Sequence, residues 1–303
     1  MRLPALILLC LSACGPTDAV QGDAAPTVRT GTAVPTAGSV VATRQVPSRP
    51  EGDTGERGRF VAMSGALTLT VETDSGPLEV RLAEVDTPVP EQTRAWLADQ
   101  LAGREVELVY SGLRRDRYGR ALAQIVIEAG ADSAGGADRA GAPATAGWLQ
   151  YRLVEAGLGR VMSHADNQAQ VAWLLPVEDR ARRAGRGLWA GPDHQVRDTH
   201  PDELAQDVGT AQLVEGRVLD AVQLNSGRIY LNFGSDYRSD FTVRIDAADS
   251  QAFTDAGLTP DGLVGQRVRV RGWVTDENGP MIVIDHPARL ERLGENLTAA
   301  QAR

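Results

Sequence analysis

Two blocks of short alternating strands, each interrupted by helical sequence, constrain this chain of 303 residues more than any other feature. In the first block, 66–72 (ALTLTVE) and 78–83 (LEVRLA) flank Thr73-Asp74-Ser75-Gly76-Pro77, so they read as a hairpin. A helix is expected over 91–102, with Trp96, Leu97 and Leu101 at core spacing, and Gly103 stops it. Strands 104–110 and 120–127 follow on either side of a polar turn. Helices at 148–156 and 168–184, ended by Gly157 and Gly185, flank a short strand at 159–163. In the second block, strands are expected at 213–220, 228–233 and 240–246, a helical piece at 249–256, then strands at 267–274 and 280–285. The run Arg267-Val268-Arg269-Val270-Arg271 alternates, which places its arginines on one solvent face. Trp96, Trp148, Trp173 and Trp189 read as core anchors, and Tyr230, Phe233, Tyr237 and Arg238 as a candidate aromatic-basic face.

Three strands, a helix and two strands is the order of an OB barrel. The expected class is therefore mainly β with helices (α+β), one OB-fold barrel followed by a second, smaller OB-like barrel. The barrels are assigned to 59–191, with a Gly/Ala/Asp/Ser insert at 128–147, and to 211–294. Residues 192–210 form a connector and 295–303 a tail. Residues 14–58 contain no aromatic side chain and hold no sustained period, as a flexible tether would.

The N-terminus has its own chemistry. Arg2 precedes a nearly unbroken apolar run over 3–11, too short for the about 20 residues of a membrane-spanning helix, and Ser12-Ala13 are small. That is the layout of a cleaved secretory signal over 1–13. Leu11-Ser12-Ala13-Cys14 resembles the bacterial lipobox, which implies acylation (palmitate among the chains) at Cys14 and anchoring to the membrane of the cell envelope. Gly15 after the cysteine points to the outer membrane, with the protein facing the periplasm or the cell surface. Cys10 and Cys14 are the only cysteines, so no disulfide or thiolate metal site can form in the barrels.

All 31 basic residues are arginine, which excludes a lysine nucleophile, a Schiff base and a P-loop lysine. The net charge of -9 argues against a general electrostatic binder of nucleic acid. The acidity is uneven, since 193–303 holds 18 acidic against 11 basic residues and 57–192 holds 17 against 16. His164, His194, His200 and His286 lie in different segments without metal-ligand spacing and read as surface or structural residues.

Charge gathers at strand ends in Arg81-Leu82-Ala83-Glu84-Val85-Asp86-Thr87-Pro88 and in Asp116-Arg117-Tyr118-Gly119-Arg120. Arg81 and Asp86 are five apart, on opposite faces of a regular strand, and a bend at Pro88 is needed to bring them together. These two motifs, the helix end Leu153-Val154-Glu155-Ala156-Gly157-Leu158 and the closing Arg186-Gly187-Leu188-Trp189-Ala190 occur in the order of the thermonuclease, or staphylococcal-nuclease-like (SNase-like), family. The first barrel resembles that family over about 59–191. The resemblance implies an OB barrel with helices and calcium-dependent hydrolysis of phosphodiesters in DNA or RNA. It matches Arg81 and Arg120 to a phosphate-gripping pair, Asp86 to a calcium carboxylate and Thr87 to a ligand through its backbone carbonyl. Those residue types suit the task, because a guanidinium forms a two-pronged contact with phosphate and calcium prefers hard oxygen ligands.

Three departures weigh against full activity. Ala66 stands where the family's first hairpin carries a metal-binding Asp, Val89 where it carries the water-activating Glu, and Val161–Ala165 lacks the family's pocket tyrosines. Three readings follow. The first is a tethered, degenerate thermonuclease-like protein that binds nucleic acid or a nucleotide phosphate at Arg81 and Arg120, with weak or absent phosphodiesterase activity. Its second barrel would bind or scaffold another envelope component. The second is an active calcium-dependent nuclease, a hydrolase with Glu91 as base. The third is a purely structural envelope module.

Overall fold

The computed structural model describes residues 49–128 and 147–294. The segment read as a signal, Cys14, the segment read as a tether as far as residue 48, insert residues 129–146 and the tail 295–303 lie outside the described residues.

The first unit is a closed five-stranded barrel. Its strands are β1 (Asp53–Met63), β2 (Thr68–Thr73), β3 (Gly76–Leu82), β5 (Glu105–Tyr110) and β6 (Ala121–Ile127), in the ring order β1-β2-β3-β6-β5. All pairings are antiparallel except β3 with β6. Alternate residues Leu69, Val71, Val80, Leu82, Val106 and Leu108 fill the interior, as a period of two demands. Helix α1 (Pro90–Leu101) adds Leu97 and Leu101 to this core. Helices α2 (Leu149–Glu155) and α3 (Val171–Arg183) pack on one another, and a two-residue strand β7 (Arg160–Val161) between them pairs with β4 (Val85–Asp86).

β1 starts at Asp53, inside the segment read as tether, and Arg49 already reaches Glu107 at 2.6 Å. Its sequence, DTGERGRFVAM, hides the strand because two glycines break the alternation. Both are needed for barrel closure: a Cβ on Gly55 would lie 2.2 Å from the Tyr110 ring, and one on Gly58 would lie 2.1 Å from the Glu72 carbonyl oxygen.

The second unit repeats the connectivity. β8 (Ala211–Arg217) and β9 (Asp220–Gln223) follow one another across Val218-Leu219, then come β10 (Ile229–Asn232), β11 (Thr242–Ile245), two short helices α5 (Ser250–Asp255) and α6 (Pro260–Leu263), β12 (Arg267–Asp276) and β13 (Pro280–Val283). The sheet runs β9-β10-β11-β13-β12, and β12 pairs back onto β8, with β11 and β13 the parallel pair. This is the ring order of the first barrel with its first strand bent in two. A further strand β14 (Leu290–Leu293) pairs with β12, and the connector contributes helix α4 (Pro201–Leu204), whose Leu204 is buried in the second core.

Three expectations change here. Arg269 and Arg271 are buried, not solvent-facing: the alternation does point them out of the barrel core, but Arg271 is covered by α3 and β7 of the first unit, and Arg269 is paired with Glu215 of β8. Phe233 packs against Phe241 within the second core, with ring centroids 5.0 Å apart, which removes it from the aromatic-basic face. Trp148 and Trp189 are buried anchors, whereas Trp96 and Trp173 pack only partly against the core.

Candidate phosphate and metal site

The residues singled out at the end of β3 do converge, but the bend that brings them together is not at Pro88. It is the turn at Ala83-Glu84, where Glu84 takes φ 63°, a left-handed conformation that non-glycine residues adopt at a cost. Half-buried Arg81 is fixed by this turn: its Nη1 donates to the Leu82 carbonyl at 3.1 Å and its Nη2 to the Val85 carbonyl at 3.4 Å. The parallel register pairs Val80 with Ala121, which brings Arg120, just ahead of β6, to the same end of the barrel.

Arg120 is held by its own loop. Its Nε and Nη2 both lie 2.7 Å from Asp116 Oδ2, while Asp116 Oδ1 accepts the backbone N–H of Tyr118 at 2.8 Å and of Arg120 at 3.0 Å. Burial raises the Asp116 carboxyl, but the Arg120 contact and the two amides together outweigh it and hold the carboxyl below its ordinary value. Burial lowers the proton affinity of Arg81; Asp86 opposes this, Arg120 adds to it and Asp116 opposes it. Two guanidiniums and two carboxylates thus act on one another in one place. Two fixed cations side by side gain most when an anion sits between them.

The metal side of the site is poor. Asp86 has Arg160 Nη2 at 3.6 Å from its Oδ2. The end of the first hairpin brings no carboxylate: the Ser64 and Gly65 amides close on the Thr68 carbonyl, the Ser64 hydroxyl donates to Glu79, and Leu67 is buried. Thr93 Oγ1 donates to the Leu158 carbonyl at 2.7 Å, so Thr87 is the donor in its 2.7 Å contact with Thr93, and Thr87 Oγ1 accepts the Val89 amide at 3.1 Å. This chain fixes the segment from Asp86 to α1. Val89 then packs on a cluster of Ala181, Leu188, Trp189 and Leu213. Glu91 is exposed in the first turn of α1. No group of three or more His, Cys, Asp or Glu side chains suited to a metal occurs among the described residues. One carboxylate already facing a guanidinium is a donor set that does not fit calcium, which takes six to eight oxygens and several carboxylates.

A family model described as staphylococcal nuclease homologue matches residues 79–191. The chain carries an SNase-like domain. Two relatives, each called an uncharacterized endonuclease and found in Escherichia coli O157:H7 and in Escherichia coli, are 29% identical over 142 residues, covering 45% of this chain and 78% of theirs. The matched region holds Arg81, Asp86, Asp116 and Arg120, so the residues that converge at the barrel's end all belong to the SNase-like domain.

Behind this site the SNase-like domain is bolted to the second barrel by buried polar contacts that no motif announced. Arg271, fully buried, donates to the Val161 carbonyl at 2.8 Å, pairs with Glu178 at 3.0 Å and also meets Glu291. Burial pulls its proton affinity down, and the two carboxylates more than reverse that. Glu178 Oε1 in turn accepts the Val161 amide at 2.6 Å. Arg160 Nη2 donates to the Ala211 carbonyl at 2.8 Å, and Arg289 donates twice to the Ser163 carbonyl. His286 shares a 2.8 Å hydrogen bond with the Ser163 hydroxyl and a 2.7 Å contact with Asp285, whose carboxyl is held down at about 2 by that histidine. The arrangement has the order of a Ser-His-Asp triad, but Ser163 is fully buried, so it works as a fastening.

Proposed function

We propose that this chain is a degenerate thermonuclease-like protein of the cell envelope, anchored through acylated Cys14, that binds the phosphates of nucleic acid or of a nucleotide between Arg81 and Arg120 and hydrolyses phosphodiesters weakly or not at all. The observation that carries the reading is the contrast within one site. The guanidinium pair is held in place by Leu82, Val85 and Asp116, while the position for the base is filled by Val89 against Trp189 and Leu213. What the domain's own residues do is bind and orient: Arg81 and Arg120 grip phosphate oxygens, the Leu82 and Val85 carbonyls aim Arg81, and Asp116 aims Arg120. In this reading the second barrel scaffolds the first and presents its acidic surface to an envelope partner.

The second reading, an active calcium-dependent endonuclease, is favoured by the relatives' name and by Glu91, an exposed carboxylate in the first turn of α1 four residues past Thr87. The phosphate grip is tested by fluorescence anisotropy of a labelled single-stranded oligonucleotide with the full chain in chelator. Arg81→Gln and Arg120→Gln should each weaken binding about tenfold or more, consistent with loss of a charge-assisted contact worth about 1.5–3 kcal/mol. Affinity unchanged in both variants would remove the phosphate reading.

A further inference from the structure

The residue opposite Asp86 is the least expected part of the site. The β4–β7 ladder pairs Asp86 directly with Arg160, and the Arg160 side chain, 4% exposed, brings Nη2 to 3.6 Å from Asp86 Oδ2. The same Nη2 is anchored at 2.8 Å to the Ala211 carbonyl of β8, so the second barrel holds this guanidinium in place. Its Nε is buried and makes no hydrogen bond among the described residues. The guanidinium is therefore kept here by charge and by the Ala211 contact, not by a full set of partners. Arg160 thus joins Arg81, Arg120, Asp86 and Asp116 through Asp86, while Glu178 and Arg271 act on it from the other side.

We propose that Arg160 is a positioning residue that supplies, as a fixed internal cation beside Asp86, the charge a divalent ion would otherwise supply, so that the site binds a phosphate anion without metal. The inference rests on the phosphate reading of the Arg81–Arg120 pair and deepens it. A cation at Asp86 is a requirement of electrostatics, since a carboxylate left uncompensated at 30% side-chain exposure would repel an incoming phosphate from Arg81. Arg160 meets that requirement permanently, and the contact with Ala211 makes it a joint product of the two barrels.

The test is calorimetric titration of the full chain with adenosine 5′-monophosphate, in chelator and in millimolar calcium. Affinity equal within twofold in the two buffers is expected. Binding that appears only with calcium overturns the inference and leaves the phosphate reading standing, whereas no binding in either buffer sinks both. Arg160→Met should weaken binding in chelator at least tenfold, and millimolar calcium should restore part of it, because the phosphate oxygens of the nucleotide then join Asp86 in holding the ion. Weakening without that recovery marks Arg160 as merely structural and overturns the proposal. Should Arg160→Met not fold, Asp86→Asn decides: it removes the carboxylate that opposes an incoming phosphate while Arg160 stays, and should tighten metal-free binding severalfold, and unchanged or weaker binding contradicts the account.

Discussion

Glu84 offers the sharpest physical prediction, because a single buried carboxyl is asked to titrate far from its ordinary range. Its side chain is 3% exposed. Oε2 accepts the Gln170 amide at 2.9 Å just ahead of α3, and buried Oε1 has no hydrogen-bond partner among the described residues. Burial raises its pKa from 4.5 to about 7, with the Gln170 amide and Gln124 pulling only partly the other way. Between those two values the folded chain keeps the proton that the unfolded chain has released. Stability is therefore lost as pH rises through this window, by about 1.4 kcal/mol per unit, or about 3 kcal/mol in all. Glu84→Gln retains an oxygen for the Gln170 amide and cannot titrate. Urea unfolding followed by tryptophan fluorescence at pH 4.5, 6, 7 and 8 should show the stability difference between variant and wild type moving by about 3 kcal/mol in the variant's favour from the lowest pH to the highest. The movement matters, whatever the offset at pH 4.5. A difference constant within about 0.5 kcal/mol would refute the claim that burial governs this carboxyl.

Other outcomes follow from the same contacts. Arg271→Met should cost about 3–5 kcal/mol in urea unfolding by stranding Glu178, and the Arg271→Met, Glu178→Gln double variant should cost less than the sum of the single ones. Val89→Glu should destabilise by about 1–3 kcal/mol, because it sets a polar group against Trp189 and Leu213, and an assay of nucleotide release should show no gain in hydrolysis. Gly58→Ala should cost about 1–3 kcal/mol or prevent folding, since its Cβ would lie 2.1 Å from a backbone oxygen across the barrel wall; thermal unfolding reads this directly.

Much of the fold was legible in the sequence because strands that line a closed barrel must alternate. Thr68–Thr73, Gly76–Leu82 and Arg267–Asp276 all announce themselves that way. β1 did not, because closing the barrel required glycines that erase the pattern. The arginines of β12 were legible as pointing away from the core, but the neighbour that buries them is set by tertiary packing, which no local period encodes. In the site, Arg81, Asp86 and Arg120 were found through motif order, whereas the turn that unites them depends on the left-handed conformation of Glu84. Arg160 stood in the short strand read over 159–163, just past the helix end Leu153–Leu158. Its meaning comes only from the β4–β7 pairing and from a carbonyl 51 residues downstream.

The central claim is that the SNase-like domain keeps the phosphate grip and lacks the calcium chemistry. Release of acid-soluble nucleotides from single-stranded DNA and RNA by the full chain, at matched ionic strength with millimolar calcium or with chelator, tests it most directly. The account predicts release at the level of the Arg120→Gln variant in both buffers. Calcium-stimulated release that disappears in Arg120→Gln would contradict it.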